Sequence, residues 1–221
     1  MNRFALIVLP VLLLATFSCS FPFSGGNGRD DPTSTQLSDN ILFQDDFSDP
    51  SSGWDRVNEA AGITDYADGA YRIFVNTINT DIWSNPKLNF SDVRVEVDAT
   101  KMGGSDNNDF GVICRYQDPD NYYFFIASSD GYYGIGRFFQ GRQELIGVES
   151  MPPSEVINQG NATNHLRADC IGPRLSLYVN SEFLTQVEDT AFASGDVGLL
   201  AGSLDSPGVD IYFDNFKVLK P

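Results

Sequence analysis

Five of the nine tyrosines fall between residues 116 and 133, and with the only two tryptophans they are the side chains best equipped to recognise a ligand. Trp54 and Trp83 sit near turn residues, Tyr116, Tyr122, Tyr132 and Tyr133 flank two turns, and Tyr123 follows Tyr122 directly. Such rings stack on the flat face of a sugar while neighbouring Asp, Asn and Arg side chains bond its hydroxyls. Arg115 suits that role, because strict strand alternation places it on the face opposite Cys114 and Tyr116. Alternation also sends the rings of Tyr122-Tyr123-Phe124-Phe125 to opposite sides, so each ring is either core packing or a binding platform.

The other chemistry is thinner. His165 is the only histidine, which rules out a multi-histidine zinc centre and leaves one imidazole base. Its place at the start of a predicted strand suits a partly exposed edge position. The serines lack a nucleophile-elbow motif, and Gly103-Gly104 lacks the context of a phosphate loop, so these residues require no cofactor. With 30 acidic against 14 basic residues the chain carries −16 at pH 7, which makes nucleic acid and anionic lipid headgroups poor partners. That charge either keeps the protein soluble or furnishes oxygen ligands for a structural calcium ion.

The N-terminus predicts export. Arg3 precedes an apolar run from Phe4 to Phe17, broken at Pro10, with small residues around Cys19, and the segment 1–20 reads as a signal peptide rather than a membrane span. The cysteine ending that run resembles the lipobox of bacterial lipoproteins, which implies lipidation at Cys19 and membrane contact only through that anchor; cleavage after Ser20 is the alternative. Residues 21–40, with Gly25-Gly26-Asn27-Gly28 and Asp30-Asp31-Pro32, bury too little to order themselves and read as a tether. Residues 41–221 suffice for one domain. Cys114 and Cys170 remain, and in an oxidising compartment they form one disulfide or stay as two buried thiols.

Everything from Ile41 onward is short alternating runs between turn residues, which predicts an all-β fold. Asp109 to Phe139 reads as three antiparallel strands reversed at Gln117–Asn121 and Ser128–Gly131. Val93, Val95, Val97 and Ala99 alternate with Arg94, Glu96, Asp98 and Thr100, one face buried and one wet. Further strands are predicted at 41–47, 63–66, 70–75, 81–84, 165–171, 174–179, 183–187, 197–201 and 210–218, enough for two sheets packed face to face.

Phe43-Gln44-Asp45-Asp46-Phe47 with Gly53-Trp54, the aromatic meander, Leu175 to Asn180 running on to Phe183-Leu184, and Phe213 to Val218 together resemble the concanavalin A-like lectin/glucanase superfamily. The likeness is greatest to laminin G-like and 3-keto-disaccharide hydrolase-like domains of bacterial exported proteins, over roughly residues 41–220. It implies an antiparallel jelly-roll sandwich whose first and last strands pair. It also implies a site where Asp45, Asp46 and Asp214 either hold calcium or cap turns. The β-glucan-cleaving enzymes of that superfamily carry Glu-x-Asp-x-x-Glu or a form one residue shorter, with catalytic carboxylates about 5–5.5 Å apart. Here Glu96-Val97-Asp98 is followed by Ala99-Thr100-Lys101, so the second glutamate is missing and the solvated strand face is the plainer reading.

Three function classes follow. The first is a non-catalytic module binding carbohydrate or another cell-surface ligand, which needs rings on one exposed face. A hydrolase or lyase of the 3-keto-disaccharide hydrolase-like type needs a polar cleft with perturbed carboxylates, and a structural or protein-interaction domain needs a contiguous apolar patch.

Overall fold

The computed structural model describes residues 40–221, so the predicted signal peptide with Cys19, and the tether up to residue 39, lie outside the described residues. In chain order the strands are β1 (Ile41–Asp45), β2 (Val57–Glu59), β3 (Gly62–Ala67), β4 (Ala70–Val75), β5 (Thr80–Ser84), β6 (Val93–Gly103), β7 (Asn108–Asp118), β8 (Asn121–Ala127), β9 (Tyr133–Phe139), β10 (Arg142–Leu145), β11 (Thr163–Ile171), β12 (Arg174–Val179), β13 (Glu182–Glu188), β14 (Asp196–Ser203) and β15 (Val209–Leu219). A nine-stranded sheet runs β13-β12-β11-β6-β15-β4-β3-β2, with β1 also on β15, and a six-stranded sheet runs β10-β9-β8-β7-β14-β5. All pairings are antiparallel, and the first strand pairs the last, as the resemblance implied.

The main core lies between the sheets. Val93, Val95, Val97 and Ala99 of β6 point inward against Phe110, Val112, Tyr123 and Phe125 of the other sheet, and Arg94, Glu96 and Asp98 face out. The predicted meander is β7, β8 and β9 at the middle and one side of the smaller sheet. Cys114 on β7 and Cys170 on β11 form a disulfide that ties one sheet to the other, with Cα atoms 6.9 Å apart.

Three local features depart from the sequence expectation. Arg115 has a positive φ of 54°, and the pairing of β7 with both neighbours slips there. This bulge breaks the alternation, so Cys114 lies in the main core while Tyr116 packs on the opposite side of the sheet. The short polar strands β2 and β10 had no hydrophobic period to reveal them.

Candidate functional site

The outward face of the six-stranded sheet holds a second apolar cluster of Ile113, Tyr122, Phe124, Ile126 and Leu200, with Trp83, Tyr116, Phe138, Leu145 and Met151 packed over it. Tyr122 is its hub. Its ring stacks on Phe138 at 4.8 Å and touches Tyr116 at 5.5 Å and Trp83 at 6.0 Å. The predicted rings Trp83, Tyr116 and Tyr122 are thus brought onto one face; Trp83 and Tyr116 are half-buried and Tyr122 lies beneath them.

Strand register adds two carboxylates to the same face. Gly202 of β14 pairs with Asp81 of β5 on one side and Asp109 of β7 on the other. A methyl group at Gly202 would overlap a carboxylate oxygen of both, so the two acids close over the glycine from opposite sides. No ion pair reaches either one among the described residues, and the only side-chain hydrogen bond is from Gln143 Nε2 to Asp81 Oδ2 at 3.3 Å. Burial pushes the Asp81 carboxyl up to about 6, with the Gln143 bond opposing it. Burial, then repulsion from Asp81, raises Asp109 well above the usual carboxylate range. Asp109 Oδ1 and the Tyr122 hydroxyl are buried without a hydrogen-bond partner, and burial followed by the charge of Asp81 raises the phenol too.

Access comes from the edge. β5 is the last strand of its sheet, and a groove of about 340 Å³ between it and β2–β3 is lined by Asp81, Trp83, Thr80, Glu59, Thr64 and Val57, among others. Asp81 and Trp83 therefore belong both to the groove and to the outer face. At the opposite margin of that face Met151 also lines a cavity of about 500 Å³ beside the exposed ring of Tyr132.

Of the other predicted site residues, Trp54, Tyr123, Arg115 and Tyr133 lie away from this face, and Tyr122 lies beneath its surface, which corrects the expectation of an open ring-lined site built from them. Trp54 is 4% exposed, packed on Phe47, Tyr71 and Phe216, and donates from Nε1 to Asp45 Oδ2 at 2.9 Å. Tyr123 points into the main core, where its hydroxyl donates to Asp189 and accepts from the Phe192 N–H. Tyr122 has no ring face open to solvent because its neighbours cover it. Arg115 is buried as a loop tie, donating to the carbonyls of Ser91, Gly172 and Phe192 and pairing with Asp92 at 3.2 Å. Tyr133 faces the main core side beside Ile146 and Leu184, away from Trp83.

Of the two roles expected for Asp45, Asp46 and Asp214, the hydrogen bonds are those of turn capping. Asp45 accepts from Phe47 N, Ser52 Oγ and Trp54 Nε1, Asp46 from Ser48, and Asp214 from the Asn215 N–H. These are turn-capping contacts, and no group of three metal-binding side chains occurs among the described residues. On the larger sheet, Asp98 pairs with His165 at 2.7 Å and accepts from Asn215, the solvated-face arrangement.

Sequence reading missed Asp81, Asp109, Gly202 and Gln143. They come from four strands and meet only through register; the one available signal was Asp81 standing two residues before Trp83.

No family model and no curated protein sequence matches the chain. Solved structures do. The carbohydrate binding module CBM66 from Bacillus subtilis superposes with a TM-score of 0.62 at 19% identity, covering 76% of this chain and 96% of that one. The Bacteroides ovatus mixed linkage glucan PUL GH16, in complex with a G4G4G3G product, gives 0.58 at 12% identity over 81% and 100%. The catalytic domain of an endo-1,3-beta-glucanase (laminarinase) from Thermotoga petrophila gives 0.56 at 10% identity over 81% and 97%. The fold is a concanavalin A-like jelly-roll sandwich. It is shared by carbohydrate-binding and glycoside-hydrolysing proteins.

Proposed function

We propose that this domain binds carbohydrate at the outward face of the six-stranded sheet, with the groove-lining Trp83 as stacking ring and Asp81 as hydrogen-bond acceptor. The observation that carries the reading is the groove wall on which half-buried Trp83 stands beside Asp81, a carboxylate with no ion-pair partner among the described residues. Ligand sites are built this way, from apolar and aromatic surface with a few converging polar groups. The likeness to a carbohydrate-binding module supports the same class. Affinity electrophoresis through gels cast with different polysaccharides tests it: the protein is expected to be retarded by at least one, and Trp83→Ala to run free. No retardation on any polysaccharide contradicts the reading.

A glycoside hydrolase is the second reading, favoured by the raised Asp81–Asp109 pair, since an acid held protonated near neutrality is what a general acid requires. Against it, Asp109 is 5% exposed and its Oδ1 is sealed from solvent, out of reach of a glycosidic oxygen. Incubation with retained polysaccharides is expected to release no reducing sugar.

The same proposal places the domain outside the cytoplasm, on a lipid at Cys19 with residues 21–40 as tether. A disulfide between Cys114 and Cys170 supports export, because such bonds persist in oxidising compartments. Labelled palmitate incorporated by the wild type and not by Cys19→Ala is the expected result; labelling of neither protein, or equal labelling of both, removes the anchor at Cys19.

A further inference from the structure

We propose that the cavity beside Tyr132 and Asp130, at the loop end of the smaller sheet, is a second carbohydrate site that takes an uncharged pyranose. The class of ligand rests on the carbohydrate reading above, but the site shares no lining residue with the Trp83 groove.

The cavity holds about 500 Å³, room for a small ligand, and is lined by Asn107, Asn108, Asp130, Tyr132, Met151 and Leu204, among others. Its apolar wall is open: Tyr132 is 41% exposed and Leu204 39%, with half-buried Met151 beside them. A tyrosine ring so placed is a platform for the C–H face of a sugar. Asp130 accepts on Oδ1 from the Ser128 hydroxyl, and Asn107 donates from Nδ2 to Asp205 at 3.2 Å. Asp130 Oδ2, Asn107 Oδ1 and the Tyr132 hydroxyl are left without a hydrogen bond among the described residues. Two of these three atoms can only accept, so the ligand they fit is rich in donors, as a polyhydroxylated ring is.

Charge narrows the class further. Asp130 has no ion-pair partner among the described residues, and no basic side chain lines the cavity. Lys101, at the adjoining end of β6, is 4% exposed and bound to Asp106. A uronate or sulfated sugar would therefore meet a bare carboxylate with no cation to compensate it.

The loop that carries the site is fixed before any ligand arrives. Ser128 Oγ accepts from the Tyr132 N–H at 2.9 Å while donating to Asp130, which sets both side chains from one hydroxyl. Buried Asn108 accepts from the Ser129 N–H at 3.0 Å and donates to the Ser105 carbonyl at 2.7 Å. On the other side the Gly131 and Ser129 carbonyls accept from the Ser154 and Gly160 N–H groups at 2.8 and 2.9 Å. Two neighbouring loops thus clamp residues 128–132, and little ordering remains to oppose binding.

Titration of the ¹⁵N-labelled full chain with cellotriose, laminaritriose, mannotriose, xylotriose and trigalacturonate tests this, with the amides of residues 130–132 and the Trp83 indole followed together. At least one neutral trisaccharide is expected to move the 130–132 amides saturably, and trigalacturonate to leave them in place. Tyr132→Ala should abolish those shifts and spare the Trp83 response, and Asp130→Asn should weaken the same binding about tenfold, the size of one charge-assisted hydrogen bond. Unchanged remaining resonances in each variant check that it is folded. The proposal is overturned if no neutral trisaccharide moves these amides, if trigalacturonate moves them equally, or if the shifts survive both substitutions. Loss of both responses in Tyr132→Ala or in Trp83→Ala would mean a single site and also overturns it. Movement of Trp83 alone leaves the carbohydrate reading of the groove and removes the second site; movement of the 130–132 amides alone does the reverse, and movement of neither removes both.

Discussion

At the scale of the residue, the two tryptophans separate stability from binding. Trp54 is sealed among Phe47, Tyr71 and Phe216 with its indole N–H bonded to Asp45, whereas Trp83 lines an open groove. Trp54→Ala should cost about 3–5 kcal/mol in urea unfolding, and Trp83→Ala no more than about 2 kcal/mol. A reversed order would place Trp83 in the structural core. The aspartate pair makes a prediction of opposite sign. Both carboxyls have raised values in the folded protein, so between about pH 4 and their folded values the native state holds protons that the unfolded chain releases. Their contribution to stability is full below about pH 4 and is lost as pH rises through about 6 for Asp81 and higher for Asp109. Asp109→Asn should therefore melt above the wild type at pH 8, with the gap closing near pH 4. A melting point lowered equally at both pH values would mean that Asp109 is not held against its charge. Composition showed that rings and carboxylates were plentiful. It could not show that residues 81 and 109 meet, because the glycine between them lies in a third strand nearly a hundred residues later.

At the scale of the element, the site is a property of β5, β14 and β7 in register. The strands with strong alternation, such as β6 and β12, were legible because inward Val and Leu face outward charge. β10 was not, since Arg142-Gln143-Glu144 is polar throughout and its strand conformation comes from pairing with β9. That gap hid Gln143. The Arg115 bulge was equally silent, because a left-handed arginine follows from the loop carbonyls it binds and not from its own preference. Gly202→Ala tests the register itself: its methyl must displace both carboxylates, for an expected loss of about 1–3 kcal/mol. In an Asp109→Ala background the loss should shrink, measured as a double-mutant cycle. Strict additivity would place the two side chains out of contact.

At the scale of the whole molecule, two sheets enclose one core and a covalent bridge links them. The Cys114–Cys170 loop spans a sequence separation of 56, for which chain-entropy reasoning gives a stabilisation of about 4 kcal/mol. Protein purified without reductant should show no free thiol at these two positions by mass spectrometry, and reduction should lower its melting point. Two free thiols would refute the bridge. The sandwich and the pairing of first and last strands were legible in alternation, turns and motif likeness, because a jelly roll is written in local patterns. Which face meets a ligand was not, because rings of equal chemistry serve the core at Trp54 and Tyr123 and the outer face at Trp83 and Tyr116.

The two-tryptophan composition gives the most direct measurement of where a glycan sits. In a ¹⁵N-labelled protein the two indole N–H resonances can be followed while a retained oligosaccharide is added. The Trp83 signal should move saturably with ligand while the Trp54 signal, fixed on Asp45, stays in place. A saturating ligand that leaves Trp83 unmoved would contradict the assignment of the binding site to this face.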